Sequence, residues 1–197
     1  MEFLLPLISF AFVTSVTPGP NNILLLASGL RFGFVKTLPH IAGIQAGVAL
    51  QLFFSALGLG YLIMQVPAVN LVLKIIGTVY LLYLAWILRG NSLDKDGDEK
   101  TRPFTFLQAL LFQFINPKAW LMTLTAGALF LPNLSSNILS ACLLCLVFSS
   151  VGTPSSGSWA LVGGIIRQFL NDAFWQRIFS LLMISLILLT AIYIWRI

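Results

Sequence analysis

Acidic residues are scarce in this sequence, and the few present avoid its long apolar stretches. Of the six Asp and Glu in 197 residues, Glu2 precedes the first stretch, Asp94, Asp96, Asp98 and Glu99 share one polar linker, and Asp172 stands between two others. A proton relay built from carboxylates therefore has no residues to use. Charge of either sign is rare, at 9%, whereas a soluble domain carries roughly a quarter. Cysteine is limited to Cys142 and Cys145, both inside an apolar run, so the chain lacks the framework of a disulfide-stapled secreted protein. The single histidine, His40, has no ligand partners in sequence and is expected at a membrane interface. No metal or cofactor is called for. The net charge of +5 comes from basic residues scattered singly along helix ends, without a patch or interleaved aromatics, which argues against nucleic acid as a partner. The N-terminus has no basic n-region and no small-residue cleavage site, so the first hydrophobic segment is expected to be retained.

What is present in quantity is apolar surface: 58% hydrophobic residues and a mean hydropathy of +0.96. A helix rises about 1.5 Å per residue and a membrane span needs about 20 apolar residues, so uncharged runs can be read as lengths. The run from Ala119 to Ile166 has no charge and would extend about 70 Å as one helix, which forces it to turn back once. With charges, prolines and polar clusters as boundaries, the sequence predicts spans near 3–30, 40–64, 69–89, 105–131, 137–161 and 178–196. The expected fold is an all-α integral membrane protein with six transmembrane helices. Between them lie a short basic turn with Arg31 and Lys36, a Gln65-Val66-Pro67 turn, a polar linker, a Pro132-Asn133 turn and a segment holding Arg167 and Arg177.

Arg31, Lys36, Arg89, Lys95, Lys100, Arg102, Arg167 and Arg177 fall on the first, third and fifth connections, against Lys74 and Arg196 opposite. The positive-inside rule places those connections in the cytoplasm and both termini outside. The linker divides the chain into a three-helix repeat over 1–90, a polar cytoplasmic linker over 91–104 and a second three-helix repeat over 105–197. An odd number of spans per half makes the second repeat inverted. Helix 1 is interrupted at Pro18 and Pro20 and helix 4 at Pro117, and paired interruptions in matching helices point to a transporter site at the midplane.

In Thr17-Pro18-Gly19-Pro20-Asn21-Asn22 two prolines remove amide donors and Gly19 relaxes the backbone, so the helix should break and expose carbonyls and amides. The resumed helix would aim its positive end at a carboxylate, while Asn21 and Asn22 offer groups for an ammonium or amide. The plainer reading is a proline kink satisfied by neighbouring helices. Asn116-Pro117-Lys118 is the second break. Lys118 is the only charge between Pro103 and Ile166, and a central lysine costs about 2.5 kcal/mol or more to insert. It binds a substrate carboxylate, carries a proton, or snorkels and caps the carbonyls of a broken helix.

Gln45 and Gln51 on the second span, Gln113 on the fourth, and the Gly152-Thr153-Pro154-Ser155-Ser156-Gly157-Ser158 cluster on the fifth fall at comparable depth. Thr153, Ser155, Ser156 and the glutamines either line the same cavity or act as interhelical glue. Gly43 and Gly47 form a GxxxG pattern expected to pack inside the bundle. Cys142-Leu143-Leu144-Cys145 permits a transmembrane thiol–disulfide relay, yet no basic group or helix start lies nearby to lower a thiol pKa, and two buried small hydrophobes are the expected role. Asp94-Lys95-Asp96-Gly97-Asp98 resembles a calcium loop only in part. Thr105 stands where its bidentate Glu belongs, so a solvated linker is expected.

Taken together, Thr17-Pro18-Gly19-Pro20-Asn21-Asn22-Ile23-Leu24, Gln113-Phe114-Ile115-Asn116-Pro117-Lys118-Ala119-Trp120, Gly152-Thr153, Trp159-Ala160-Leu161 and the stretch around Arg177 resemble the LysE/RhtB superfamily of bacterial amino-acid exporters. The resemblance covers nearly the whole chain and is greatest to the cysteine and O-acetylserine efflux branch. Pro154-Ser155-Ser156 departs from that branch, in which an Asn follows the glycine. The resemblance implies no enzyme activity but secondary export of small amino acids or their derivatives across the bacterial inner membrane, coupled to protons. With the inverted repeat it implies alternating access. The residues expected to hold substrate are Thr17, Pro18, Gly19, Pro20, Asn21, Asn22, Gln45, Gln113, Asn116, Pro117, Lys118, Thr153, Ser155 and Ser156. A homo-oligomer is compatible with the sequence, and a passive amino-acid channel and the thiol relay are the rival functions.

Overall fold

The computed structural model describes residues 4–58, 66–90, 102–130, 137–169 and 173–195. Gln65, most of the polar linker and the Pro132-Asn133 turn lie outside them. Every regular element among the described residues is helical: α1 (Leu4–Val16), α2 (Pro20–Phe32), α3 (Phe34–Ala56), α4 (Pro67–Gly90), α5 (Phe106–Ile115), α6 (Pro117–Leu129), α7 (Asn137–Phe169) and α8 (Ala173–Ile194).

Both expected breaks are present, and their chemistry is local. Pro20 opens α2 and Pro117 opens α6, each at the first helical position, where the missing amide has no intrahelical partner to lose. Asn116 caps α6 with its side chain. The pieces have 13, 13, 10 and 13 residues, each shorter than the roughly 20 residues a bilayer crossing needs. Phe34–Ala56, Asn137–Ile166 and Phe174–Ile192 are long and apolar enough to cross unaided. The start of α5 is set by a capping box in which Thr105 and Gln108 exchange hydrogen bonds, a role for Thr105 that the partial calcium pattern obscures.

Boundaries read from proline and glycine fell short in several places: the second expected helix ends at Ala56 rather than near 64, and the last begins at Ala173 rather than near 178. The helix expected from residue 40 begins at Phe34, and the expected basic turn contracts to Gly33, whose φ of 82° favours glycine. Pro39 lies inside α3, where it forfeits the one ladder bond its amide would have made to the Val35 carbonyl. The helix expected to end near 161 runs to Phe169 and includes Pro154. Its glycines extend rather than end it, because Gly163 approaches the Leu26 carbonyl of α2 where any Cβ would collide. His40 also departs from expectation: it is fully buried, with its ring stacked on Phe104 at 4.9 Å between centroids.

α7 packs along α2, α3 and α1, while α3 packs along α5 and α6, and α4 pairs with α8. Close approach depends on small residues, as expected of helices in lipid. Gly43 and Gly47 lie against Phe106, Leu110 and Gln113 of α5, so this GxxxG pattern serves packing within the chain. One apolar cluster joins Leu7, Leu25, Ile44, Leu52, Leu144 and Phe148, and a second joins Ile23, Leu81, Met183 and Ile187.

The distribution of polarity is inverted relative to a soluble protein. Gln51 and Gln113 are 0% exposed, while Leu5, Val35 and Leu129 are more than 70% exposed. Apolar surface on this scale, around a polar interior, fits hydrocarbon rather than water as the solvent.

Candidate functional site

The first break begins where α1 runs out at Val16 and its last carbonyls need partners. Asn22, the third residue of α2, supplies two bonds by reaching back: its Nδ2 donates to the carbonyls of Ser15 at 2.7 Å and Thr17 at 2.9 Å. Gly19 is extended, with φ −176° and ψ 178°, a conformation open to any residue. Glycine leaves room there for the lysine, since a Cβ would lie 2.7 Å from Lys118 Cδ and 3.0 Å from its Nζ and push that flexible side chain aside. α2 has no side-chain N-cap. Its first turn therefore presents the amides of Asn21 and Asn22 at the positive end of the helix dipole.

The second break satisfies its own backbone. Asn116 Oδ1 accepts from the Lys118 amide at 3.2 Å, and the Asn116 carbonyl accepts from the amides of Ala119 and Trp120. Gln51 Nε2 donates to the Gln113 carbonyl at 2.8 Å, and Trp120 Nε1 donates to the Phe114 carbonyl at 2.8 Å. The sequence paired the two breaks as equals, whereas only the first leaves a helix start without a side-chain cap.

Two ties join the breaks. Asn21 and Gln113 exchange side-chain amide hydrogen bonds, at 2.8 Å from Asn21 Nδ2 to Gln113 Oε1 and 3.1 Å in return. Lys118 Nζ, from α6, donates to the Thr17 carbonyl at 2.7 Å, the Thr17 hydroxyl at 2.9 Å and the Pro18 carbonyl at 3.4 Å. An ammonium has three protons, and each has an acceptor here. The charge also faces the negative C-terminal end of α1. In this conformation Lys118 is accommodated by carbonyls that belong to the other break.

Between the breaks lies a polar cavity of about 50 Å³, which holds a few waters when each needs about 10–15 Å³. Gly19, Asn21, Asn22, Asn116 and Lys118 line it from the breaks. Gln45, flanked by Ile44 and Val48, faces it from α3, and Phe148, Gly152 and Ser156 face it from α7. Gln45 Nε2 donates to Ser156 Oγ at 3.0 Å across its far wall. A larger apolar chamber of about 670 Å³ lies on the other side of Lys118, bounded by Phe10, Thr17, Pro18, Pro117, Leu121 and Leu189 among others. Thr14, Lys118 and Met122 line both.

Of the residues expected at the site, Gly19, Asn21, Asn22, Gln45, Asn116, Lys118 and Ser156 line the polar cavity. Thr17, Pro18 and Pro117 border the apolar chamber. Gln113 stands behind Asn21, and Pro20 is buried at the start of α2 without lining either space. Thr153 is exposed, and Ser155 is buried with its hydroxyl lacking a partner. Helical periodicity accounts for the division. Phe148, Gly152 and Ser156 recur every fourth residue on one face of α7, and Thr153 is turned about 100° away from it. Reading the polar cluster as a block obscured that stripe, and with it Phe148. Thr14, Ser15 and Met122 were missed because no polar motif marks them, although each lies within about a turn of a break.

Cys145 Sγ donates to the Ala49 carbonyl at 3.3 Å, while Cys142 is exposed, and both thiols are free.

The sequence from residue 12 to 197 matches the family described as LysE type translocator. This chain belongs to that family. The match takes in both breaks, the cavity and α8, and it makes the protein a membrane transporter and not an enzyme. Similar curated proteins include a cysteine/O-acetylserine efflux protein of Escherichia coli O1:K1 / APEC, 27% identical over 165 residues, which are 83% of this chain and 84% of that protein. A protein of the same name from Klebsiella pneumoniae subsp. pneumoniae is 29% identical over 161 residues, or 82% of each chain. No solved structure matches the chain.

Proposed function

We propose that this translocator exports small amino acids or their derivatives, of the cysteine and O-acetylserine kind, and that the cavity between the two helix breaks is its binding site. The observation that carries the reading is the juxtaposition of an uncapped helix start with carbonyls that already hold an ammonium. Amides of Asn21 and Asn22 suit a carboxylate, with Lys118 as a cationic partner. The carbonyls of Thr17 and Pro18 suit an α-ammonium, as the Lys118 Nζ bonds to them illustrate. Gln45 and Ser156 then face the substrate side chain. The curated relatives, cysteine/O-acetylserine efflux proteins by name, support the substrate class.

In the membrane we read α1 with α2, and α5 with α6, as single broken spans, giving six spans in two inverted repeats over 1–90 and 105–197 joined by the 91–104 linker. Packing supports this. Exchanging the two halves turns the contacts of α1 and α2 with α7 into those of α5 and α6 with α3, and maps the α3–α7 and α4–α8 contacts onto themselves. The excess of Lys and Arg on odd-numbered connections puts both termini outside the inner membrane. Rocking of the repeats about the site gives alternating access, with proton movement as the driving force.

Proteoliposomes loaded with labelled cysteine, O-acetylserine, threonine, homoserine or lysine test the reading. Release of one or more of the first four, and uphill movement under an imposed pH gradient, is expected. Transport that ignores collapse of the gradient and never runs uphill identifies a passive channel instead. A Cys142→Ser, Cys145→Ser double variant should transport within about twofold of the parent, because neither thiol has an activating neighbour. Abolished transport in that variant restores the thiol relay.

A further inference from the structure

Lys118 is placed to do more than neutralise a helix end. We propose that its ammonium is a tethered stand-in for the substrate's own: in the empty carrier it occupies the carbonyls of Thr17 and Pro18, and an arriving amino acid displaces it. The inference rests on the binding site proposed above.

Three observations carry it. First, Lys118 Nζ bonds to the Thr17 carbonyl, the Thr17 hydroxyl and the Pro18 carbonyl, an acceptor set that serves any primary ammonium. Second, Lys118 itself lines the small polar cavity beside those carbonyls, which takes only a few waters, so an amino acid bound there lies directly against the lysine. Third, Gly19 lacks the Cβ that would intrude on the lysine's Cδ and Nζ, so the backbone provides a channel along which the side chain lies. The apolar chamber, which Lys118 also lines, offers room for its methylenes when it withdraws.

The exchange conserves charge at every stage. When a zwitterion binds, its ammonium takes the two carbonyls, and its carboxylate pairs with the released Lys118 and the Asn21 and Asn22 amides. An exporter must also return empty, and unpartnered carbonyls at a broken helix are heavily disfavoured within a bilayer. Lys118 keeps them bonded on that return. Without it the Pro18 carbonyl loses its donor and the Thr17 carbonyl keeps only its bond from Asn22, so the empty form is under-bonded and the carrier should favour exchange over net efflux.

The test compares net efflux into substrate-free medium with exchange against external substrate, in proteoliposomes of the full chain. Lys118→Met is expected to lower the ratio of net efflux to exchange at least about tenfold, which a uniform loss of binding does not do. In Lys118→Ala, external propylammonium should restore net efflux severalfold by refilling the vacated carbonyls. Gly19→Ala, which keeps the ammonium but pushes it aside, should shift the ratio in the same direction as Lys118→Met. Equal loss of net efflux and exchange in the Lys118 variants, or no response to propylammonium, overturns the proposal. Failure of the parent protein to move any amino acid instead overturns the functional reading on which it rests.

Discussion

Replacing Gln113 with leucine should lower transport by about 100-fold and destabilise the fold, and it separates the two effects when combined with a second change. Gln113 is fully buried, holds Asn21 by two hydrogen bonds and donates to the Ala109 carbonyl. Leucine removes all three bonds and leaves the Asn21 amide beside an apolar side chain. A buried polar group without its partner costs about 1–3 kcal/mol, and with every 1.4 kcal/mol worth about tenfold, misplacing Asn21 at the substrate is enough for a loss of that size.

Adding Asn21→Leu to Gln113→Leu removes both partners of the tie, and replacing both by apolar groups of similar shape is close to neutral for stability. The double variant is therefore expected to melt nearer the parent than either single variant, with a coupling of about 1–2 kcal/mol, while transport stays as low as in Gln113→Leu, because the Asn21 side chain no longer lines the cavity. Melting is followed on the detergent-solubilised carrier and transport in proteoliposomes. Recovery of transport along with stability reduces the side-chain pair to interhelical glue and leaves Asn21 at the site through its backbone amide alone.

The positions of both breaks were legible in the sequence because proline acts locally: it removes an amide wherever it stands, and Pro20 and Pro117 each became a first helical residue. Pro39 and Pro154 carry the same local signal without a break. Each forfeits a single ladder bond, and both α3 and α7 are held against at least three helices by packing that no local signal records. At the cavity, Asn21, Asn22, Asn116 and Lys118 were expected from the sequence because polar groups at the centre of apolar spans need a reason, and all four line it. The sequence did not identify which partner each would take. The Lys118 bond to Thr17 crosses 101 positions and the Asn21–Gln113 pair crosses 92, and such pairings follow from how the helices pack.

Gly163→Leu is expected to abolish the folded carrier, and the neighbouring Gly164→Ala to leave it nearly intact. A Cβ on Gly163 would overlap the Leu26 carbonyl and approach the Leu30 amide to 2.9 Å, whereas on Gly164 the nearest atom is the Gly29 carbonyl at 3.8 Å, an ordinary contact. Overpacking a close contact costs about 1–3 kcal/mol and sometimes more. The obstruction here is backbone on a packed helix, which cannot rotate aside as a side chain would, so the upper end applies. Gly29 faces Ala160 of α7 in the same seam, with an equally forbidden Cβ. The seam fixes α2 against α7, and thereby sets the distance from the α2 start to Phe148, Gly152 and Ser156 on the cavity wall. Monodisperse protein recovered after solubilisation, with its melting temperature, gives the result for both variants. If Gly163→Leu remains folded, α2 moves relative to α7 far enough to admit a side chain, and the seam is a sliding surface of the transport cycle rather than a fixed one.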